Sequence, residues 1–180
     1  MKIIGIEEHF VTADIRAAWA ASPIGQEGTG GFDRGEIEER LDDLGEQRLA
    51  LMDESGVDVQ VLSVTTPALH NLEPEESVTL ARRTNDLVAA TIAKYRTRFQ
   101  GFATLPTAAP KEAAAELERA VTRLGLVGPC CAVAHARRTW IIQTSYHYFR
   151  PPRDLAFLCL CTLRYRNAPS GRFTTQVSAT

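Results

Sequence analysis

No stretch of this sequence reaches the ~18 consecutive apolar residues that a membrane-spanning helix requires. Glu7 and Glu8 stand where a secretory leader would carry its apolar segment, so the expectation is a cytoplasmic protein with no membrane partner. An excess of basic charge is also missing. The 20 Lys and Arg against 22 Asp and Glu give a formal net charge of −2, which supplies no phosphate-binding footprint and no polybasic anchor, and so argues against nucleic acid as a partner. Cysteine is absent from residues 1–129 and says nothing of the redox setting of that part. No Gly-x-Gly-x-x-Gly follows the first apolar run, which weakens a dinucleotide-binding reading. What is present, 44% hydrophobic and 23% charged residues in 180, is enough for one globular domain and too little for two large ones. A small molecule is the default partner.

Acidic residues nearly vanish after Gly128. Residues 1–128 hold 21 acids and 13 bases, whereas residues 129–180 hold one acid, Asp154, and seven bases, all arginine. Cys130, Cys131, Cys159 and Cys161 also fall in the second part. Two compositions in one chain divide it into a domain over 1–128 and a tail over 129–180.

Within the first part the hydrophobic period switches repeatedly. Lys2–Ile6 is a short β-branched run of the kind that forms a buried parallel strand, and a glycine-rich loop follows. From Glu36, the residues Ile37, Leu41, Leu44, Leu51 and Met52 fall mainly at helical spacing, acids crowd the first turns, and Gly56 stands where a C-terminal cap belongs. Val57–Val64 is the second strand. Pro74 opens a helix toward Tyr95, Phe99–Leu105 is the third strand, Pro110 opens a helix capped by Gly125, and Leu126-Val127-Gly128 starts a fourth strand. This βαβαβαβ order predicts a parallel α/β sheet, either an open doubly wound one or a (β/α)8 barrel.

Parallel α/β folds build their sites at the carboxyl ends of strands. Here the first strand ends in Glu7-Glu8-His9-Phe10. Alternation along a strand puts Glu7 and His9 on one face and Glu8 on the other. A carboxylate beside an imidazole is half of a site for Zn²⁺, Mn²⁺ or Fe²⁺, and the hard oxygen makes Mn²⁺ more plausible than it would be for two histidines. A hydrogen-bonded or solvated acid–histidine pair is the plain alternative. Phe10, Trp19 and Phe32 flank the following loop as candidate walls for an aromatic substrate, although loop aromatics more often pack on their own scaffold. His70, beyond the second strand, is expected to be solvated or capping.

Glu-Glu-His-Phe does not stand alone. After it come Arg48-Leu49-Ala50-Leu51-Met52-Asp53-Glu54-Ser55-Gly56-Val57, the strand ending Leu62-Ser63, Arg82-Arg83-Thr84-Asn85-Asp86, Arg98-Phe99, Phe102-Ala103-Thr104-Leu105-Pro106 and Gly125-Leu126-Val127-Gly128. In order and spacing the series resembles the N-terminal part of the metal-dependent decarboxylases of the amidohydrolase superfamily, of the γ-resorcylate and 2,3-dihydroxybenzoate type. The resemblance implies a distorted (β/α)8 TIM barrel whose first strand supplies two metal ligands, carried here onto Glu7 and His9. It implies a divalent metal (Zn²⁺ or Mn²⁺), a small-molecule aromatic acid as substrate and non-oxidative carboxy-lyase chemistry, with a homo-oligomer possible for the full-length parent. Glu-x-His in place of His-x-His sides with the decarboxylase branch. The family's remaining ligands and its catalytic histidine lie beyond residue 128 and have no match here. A metal-dependent hydrolase and a non-catalytic fragment or interaction protein are the alternative readings.

The tail matches neither a Cys/His zinc pattern nor a solvated basic arm, being too apolar for the second. One choice of permitted codons for Pro129–Phe149, read one base out of register, spells MLCGRTRETNLDHPDFLPLF, which resembles the family's continuation after Gly-Leu-Val-Gly. The tail is therefore expected to be out of frame, poorly ordered and outside the family. The chain is expected to be a truncated, inactive part of the barrel.

Overall fold

The computed structural model describes residues 2–21, 29 and 35–130, together with the backbone of strands 140–146, 159–166 and 173–175. Strand β1 (Ile4–Phe10) leads into α1 (Ala13–Ala21), α2 (Glu36–Asp42) and α3 (Glu46–Ser55). Then β2 (Val59–Val64), α4 (Pro74–Lys94), β3 (Phe99–Gly101) and α5 (Pro110–Thr122) alternate. β1 pairs in parallel with β2, and β2 with β3. Past β3 the chain continues the pattern: Val127 N–H donates to Gly101 O at 3.0 Å, Ala103 N–H to Gly128 O and Cys130 N–H to Ala103 O at 3.0 Å, around a parallel bridge between Ala103 and Pro129. Spatial order thus follows chain order through four segments. A doubly wound sheet reverses at a switch point. A barrel does not, and the α/β parallel sheet takes the barrel's course.

The helices cover one face of this sheet. α4 buries Ser77, Leu80, Ala81, Thr84, Asn85, Val88 and Thr91, a stripe at three- and four-residue spacing. It lies so close to β3 that a Cβ on Gly101 would collide with Val88 Cγ1. Phe10, Ile15, Trp19, Met52, Leu62, Leu69, Val88 and Phe99 form the centre of the core. The opposite face of β1 is open, with Ile6 66% exposed. In a closed barrel that face turns inward.

Local chemistry accounts for the boundaries. Gly56 (φ 74°) and Gly125 (φ 74°) take the left-handed conformation expected at helix ends, and Pro74 and Pro110 sit in the first turns of α4 and α5. Where a glycine-rich loop was anticipated directly after β1 stands α1, whose start is capped by Thr12 Oγ1 accepting from Ile15 N–H at 3.2 Å. The single helix expected from Glu36 is two, α2 and α3. Asp43 separates them, its carboxylate accepting from Gly45 N–H at 3.1 Å and from Arg48 N–H at 2.5 Å.

In the second part, β4 (Trp140–Tyr146), β5 (Cys159–Arg166) and β6 (Phe173–Thr175) form an antiparallel sheet in the order β4-β5-β6. The rest of the tail, where poor order was anticipated, lies outside the described residues, as does Phe32. Among the described residues no helix is long and apolar enough to cross a membrane.

Candidate metal centre

The β1–β2 ladder carries an irregularity at the site. Register runs Ile4↔Val59, Gly5↔Gln60 and Ile6↔Val61, then resumes at Glu8↔Leu62, His9↔Ser63 and Phe10↔Val64. Glu7 is the residue the ladder steps over, a β-bulge of the kind that re-aims side chains beside active sites. Simple alternation therefore fails at Glu7. Cross-strand partners share a face, so His9 goes with Ile6, Val61 and Ser63, while Glu8 goes with Gly5 and Phe10. The crowding of Gly5 by Glu8 Oε1 agrees with this grouping. Glu8 is on the opposite face from His9, as expected. The side chain of Glu7 lies outside the described residues.

His9 is exposed on the open face, and its Nδ1 lies 3.2 Å from Ser63 Oγ. Its backbone is fixed from the other side by Arg48, only 9% exposed, whose Nη2 donates to His9 O at 2.8 Å and to Arg40 O at 2.9 Å. The same guanidinium reaches Asp43 O at 2.7 Å through Nε and Gln60 Oε1 at 3.3 Å through Nη1. Burial pushes Arg48 below its ordinary pKa, opposed by the charges of Glu8 and then Asp43. One arginine thus ties the end of β1 to the elbow between α2 and α3.

The loop after β2 is anchored at the same end of the sheet. Trp19 Nε1 donates to Ala68 O at 2.8 Å, Leu69 is buried, and His70 Nδ1 lies 2.8 Å from Thr107 Oγ1 in the loop after β3. His70 is therefore a buried link between two loops at the carboxyl ends of strands, where a solvated or capping histidine was expected. Phe10 (1% exposed) and Trp19 (3%) pack into the core, so any part they take in a substrate wall is through the loops they carry. Among the described residues no three His, Cys, Asp or Glu side chains gather closely enough to hold a metal ion. By residue type, the imidazole of His9, with Nδ1 engaged, and a carboxylate are donors that a divalent ion accepts. Ser63 and Arg48 stood within the motif series but were given no role of their own. The signal for Ser63 was a lone polar residue near the end of an otherwise apolar strand.

Comparison with known proteins fixes the lineage. The amidohydrolase family model matches residues 9–161. The chain belongs to the amidohydrolase family. Among its relatives in this family, γ-resorcylate decarboxylase of Rhodococcus jostii (strain RHA1) is 41% identical over 130 residues, which cover 69% of this chain and 36% of that protein. γ-Resorcylate decarboxylase of Polaromonas sp. (strain JS666) is 40% identical over 126 residues, 69% of this chain and 37% of its own length. A crystal structure of dihydroxybenzoic acid decarboxylase from Polaromonas sp. JS666, with bound manganese and the inhibitor 2-nitroresorcinol, superposes with a TM-score of 0.60 at 39% identity, covering 72% of this chain and 38% of that one. The 5-carboxyvanillate decarboxylase of Novosphingobium aromaticivorans, also with manganese, gives 0.64 at 32% identity over 71% of this chain and 41% of that one. The amidohydrolase chain thus spans little more than a third of the length of the curated relatives it matches. These neighbours are aromatic-acid decarboxylases, and their fold accords with the barrel course of the parallel sheet.

Proposed function

We propose that residues 1–128 are the opening third of a metal-dependent, non-oxidative decarboxylase acting on an aromatic hydroxy acid, with Glu7 and His9 supplying two of the metal's protein ligands. The observation that carries this is His9: exposed at the carboxyl end of β1, with Nδ1 at Ser63 Oγ and its carbonyl held by Arg48. About 40% identity to γ-resorcylate decarboxylases supports the substrate class. Manganese in the related crystal structures supports Mn²⁺ over Zn²⁺, in line with a carboxylate ligand. When bound, with Glu7 and His9 among its ligands, the ion would supply Lewis-acid charge to offset the negative charge of the substrate. The chemical change is protonation of the ring carbon by an acid, followed by cleavage of its bond to the carboxylate and departure of carbon dioxide. That acid belongs to the part of the family pattern beyond Gly128. In the opening third, Trp19 and Phe10 support the loops around the mouth, and Phe32 remains the candidate for direct contact with an aromatic ring. The tail over 129–180 is read as out of frame and the protein as cytoplasmic.

The test is a frame-restored chain carrying a complete barrel. With a panel of hydroxybenzoates and Mn²⁺ it should release carbon dioxide with no incorporation of oxygen from labelled water into the aromatic product. Labelled oxygen in the product, without carbon dioxide, would instead identify a hydrolase.

A further inference from the structure

We infer that Ser63 is a positioning residue for His9, holding its imidazole as the Nδ1–H tautomer so that Nε2 presents its lone pair to the metal. The inference rests on the reading of His9 as a ligand and adds the device that makes it one. A neutral imidazole carries one proton, and only the nitrogen without it can bind a cation. Fixing the proton on one nitrogen therefore selects the other as ligand.

Three observations place Ser63 in this role. It is paired with His9 across the ladder, so the two side chains leave the sheet on the same face. Its hydroxyl oxygen is 3.2 Å from His9 Nδ1 and therefore addresses the nitrogen nearer the backbone, leaving the outer one free. Ser63 itself is fully buried, at 0% exposure, while His9 is exposed. A buried hydroxyl, already ordered by the fold, can hold an exposed ring at little further cost, because the ordering falls on the ring alone. The Arg48 bond to His9 O at 2.8 Å removes the remaining backbone freedom, so the ring is held at its root and at Nδ1 together. In the metal-ready state Nδ1–H donates to Ser63 Oγ.

The tautomer can be read without any metal. In the metal-free 180-residue chain, long-range ¹H–¹⁵N correlation spectra of the ring should show Nδ1 protonated and Nε2 bare in the wild type. Ser63→Ala should shift His9 toward the Nε2–H form that prevails for a free imidazole, and Ser63→Thr, which keeps a hydroxyl, should preserve the wild-type pattern. Titration with Mn²⁺, followed by paramagnetic broadening of the His9 ring signals, should then need at least about tenfold more metal in Ser63→Ala than in wild type or Ser63→Thr. In a parallel titration followed by the electron-spin signal of free Mn²⁺, His9→Ala tests the ligand reading separately and should lose binding. An Nε2–H ring in the wild type overturns the inference whatever the variants do. So does Ser63→Ala that binds Mn²⁺ as tightly as wild type while His9→Ala does not. Undiminished Mn²⁺ binding by His9→Ala overturns the ligand reading itself, and the inference with it.

Discussion

At the scale of single residues, the site is governed by which atoms of β1 are left free after the fold has satisfied the others. The carbonyl of His9 is taken by Arg48 and that of Phe10 by Thr65 N–H, at 2.8 and 2.9 Å, so the end of β1 is held by its backbone while the imidazole faces the open side. In a frame-restored protein, Glu7→Ala or His9→Ala should therefore lower bound metal and carbon dioxide release together, with little change in melting temperature. Each removes one of about four protein ligands at a strand end outside the core. Full metal content in both variants, measured by elemental analysis after desalting, would overturn the assignment. Arg48 should behave in the opposite way. Hydrogen bonds to a charged donor contribute about 1.5–3 kcal/mol each, and Arg48→Met strips donors from the carbonyls of His9, Arg40 and Asp43 at once. A clear loss of stability in urea unfolding is the expected result, with α2 and α3 affected before β2. The tripeptide Glu7-Glu8-His9 was read as a half site from residue types alone. Arg48 and Ser63 could not be read in that way, because their meaning depends on partners 39 and 54 positions away.

At the scale of elements, legibility followed the strength of local punctuation. α4 and α5 open with proline and sit between apolar strands, so periodicity found them nearly to the residue. α1 was missed, although Ile15, Ala18 and Trp19 stand at helical spacing, because nine residues bounded by a glycine-rich stretch read as loop. The break between α2 and α3 and the bulge at Glu7 depend on pairing with other segments, which periodicity does not see. β3 was expected through Leu105 but ends at Gly101. Its continuation is fixed by side chains rather than by a regular ladder: Asn85 Oδ1 accepts from Thr104 N–H at 2.8 Å, and Asn85 Nδ2 donates to Thr104 O at 3.0 Å and to Glu116 Oε1 at 2.8 Å. Glu116, 2% exposed, is also bound by Arg119 at 2.8 Å. This cluster locks α4, α5 and the chain beyond β3 into one unit. Asn85→Ala leaves the Thr104 amide without its partner in the interior, at about 1–3 kcal/mol for each buried group so orphaned. Thermal unfolding should show that loss. An unchanged midpoint would mean that water replaces the asparagine and that the cluster is not a lock.

At the scale of the whole molecule, what matters is how much of a barrel these residues can close. β1, β2, β3 and the segment at Val127–Cys130 run in order along one sheet, whereas closing a barrel of this kind takes eight strands. The open face, with Ile4 and Ile6 exposed, is where interior layers of side chains belong. The change of composition after Gly128 was legible in the sequence, and a test of its cause belongs at the level of nucleotides. If the codons from 129 are read out of frame, sequencing of transcript and genomic DNA will restore the continuation spelled above. An in-frame transcript together with a tryptic peptide containing Trp140 would remove that account. For the 180-residue chain itself the expected outcome is loss of metal on desalting and no release of carbon dioxide from hydroxybenzoates. Glu7 and His9 offer two ligands, no triad of metal-binding side chains forms among the described residues, and a tightly held catalytic ion takes at least about three. Two ligands still permit weak, exchangeable binding when Mn²⁺ is in excess, so a titration should show occupancy that washing removes. Stoichiometric metal surviving desalting, with turnover from this chain alone, would require the missing ligands to come from His70, which is held against Thr107, or from His135 and His147, which lie outside the described residues.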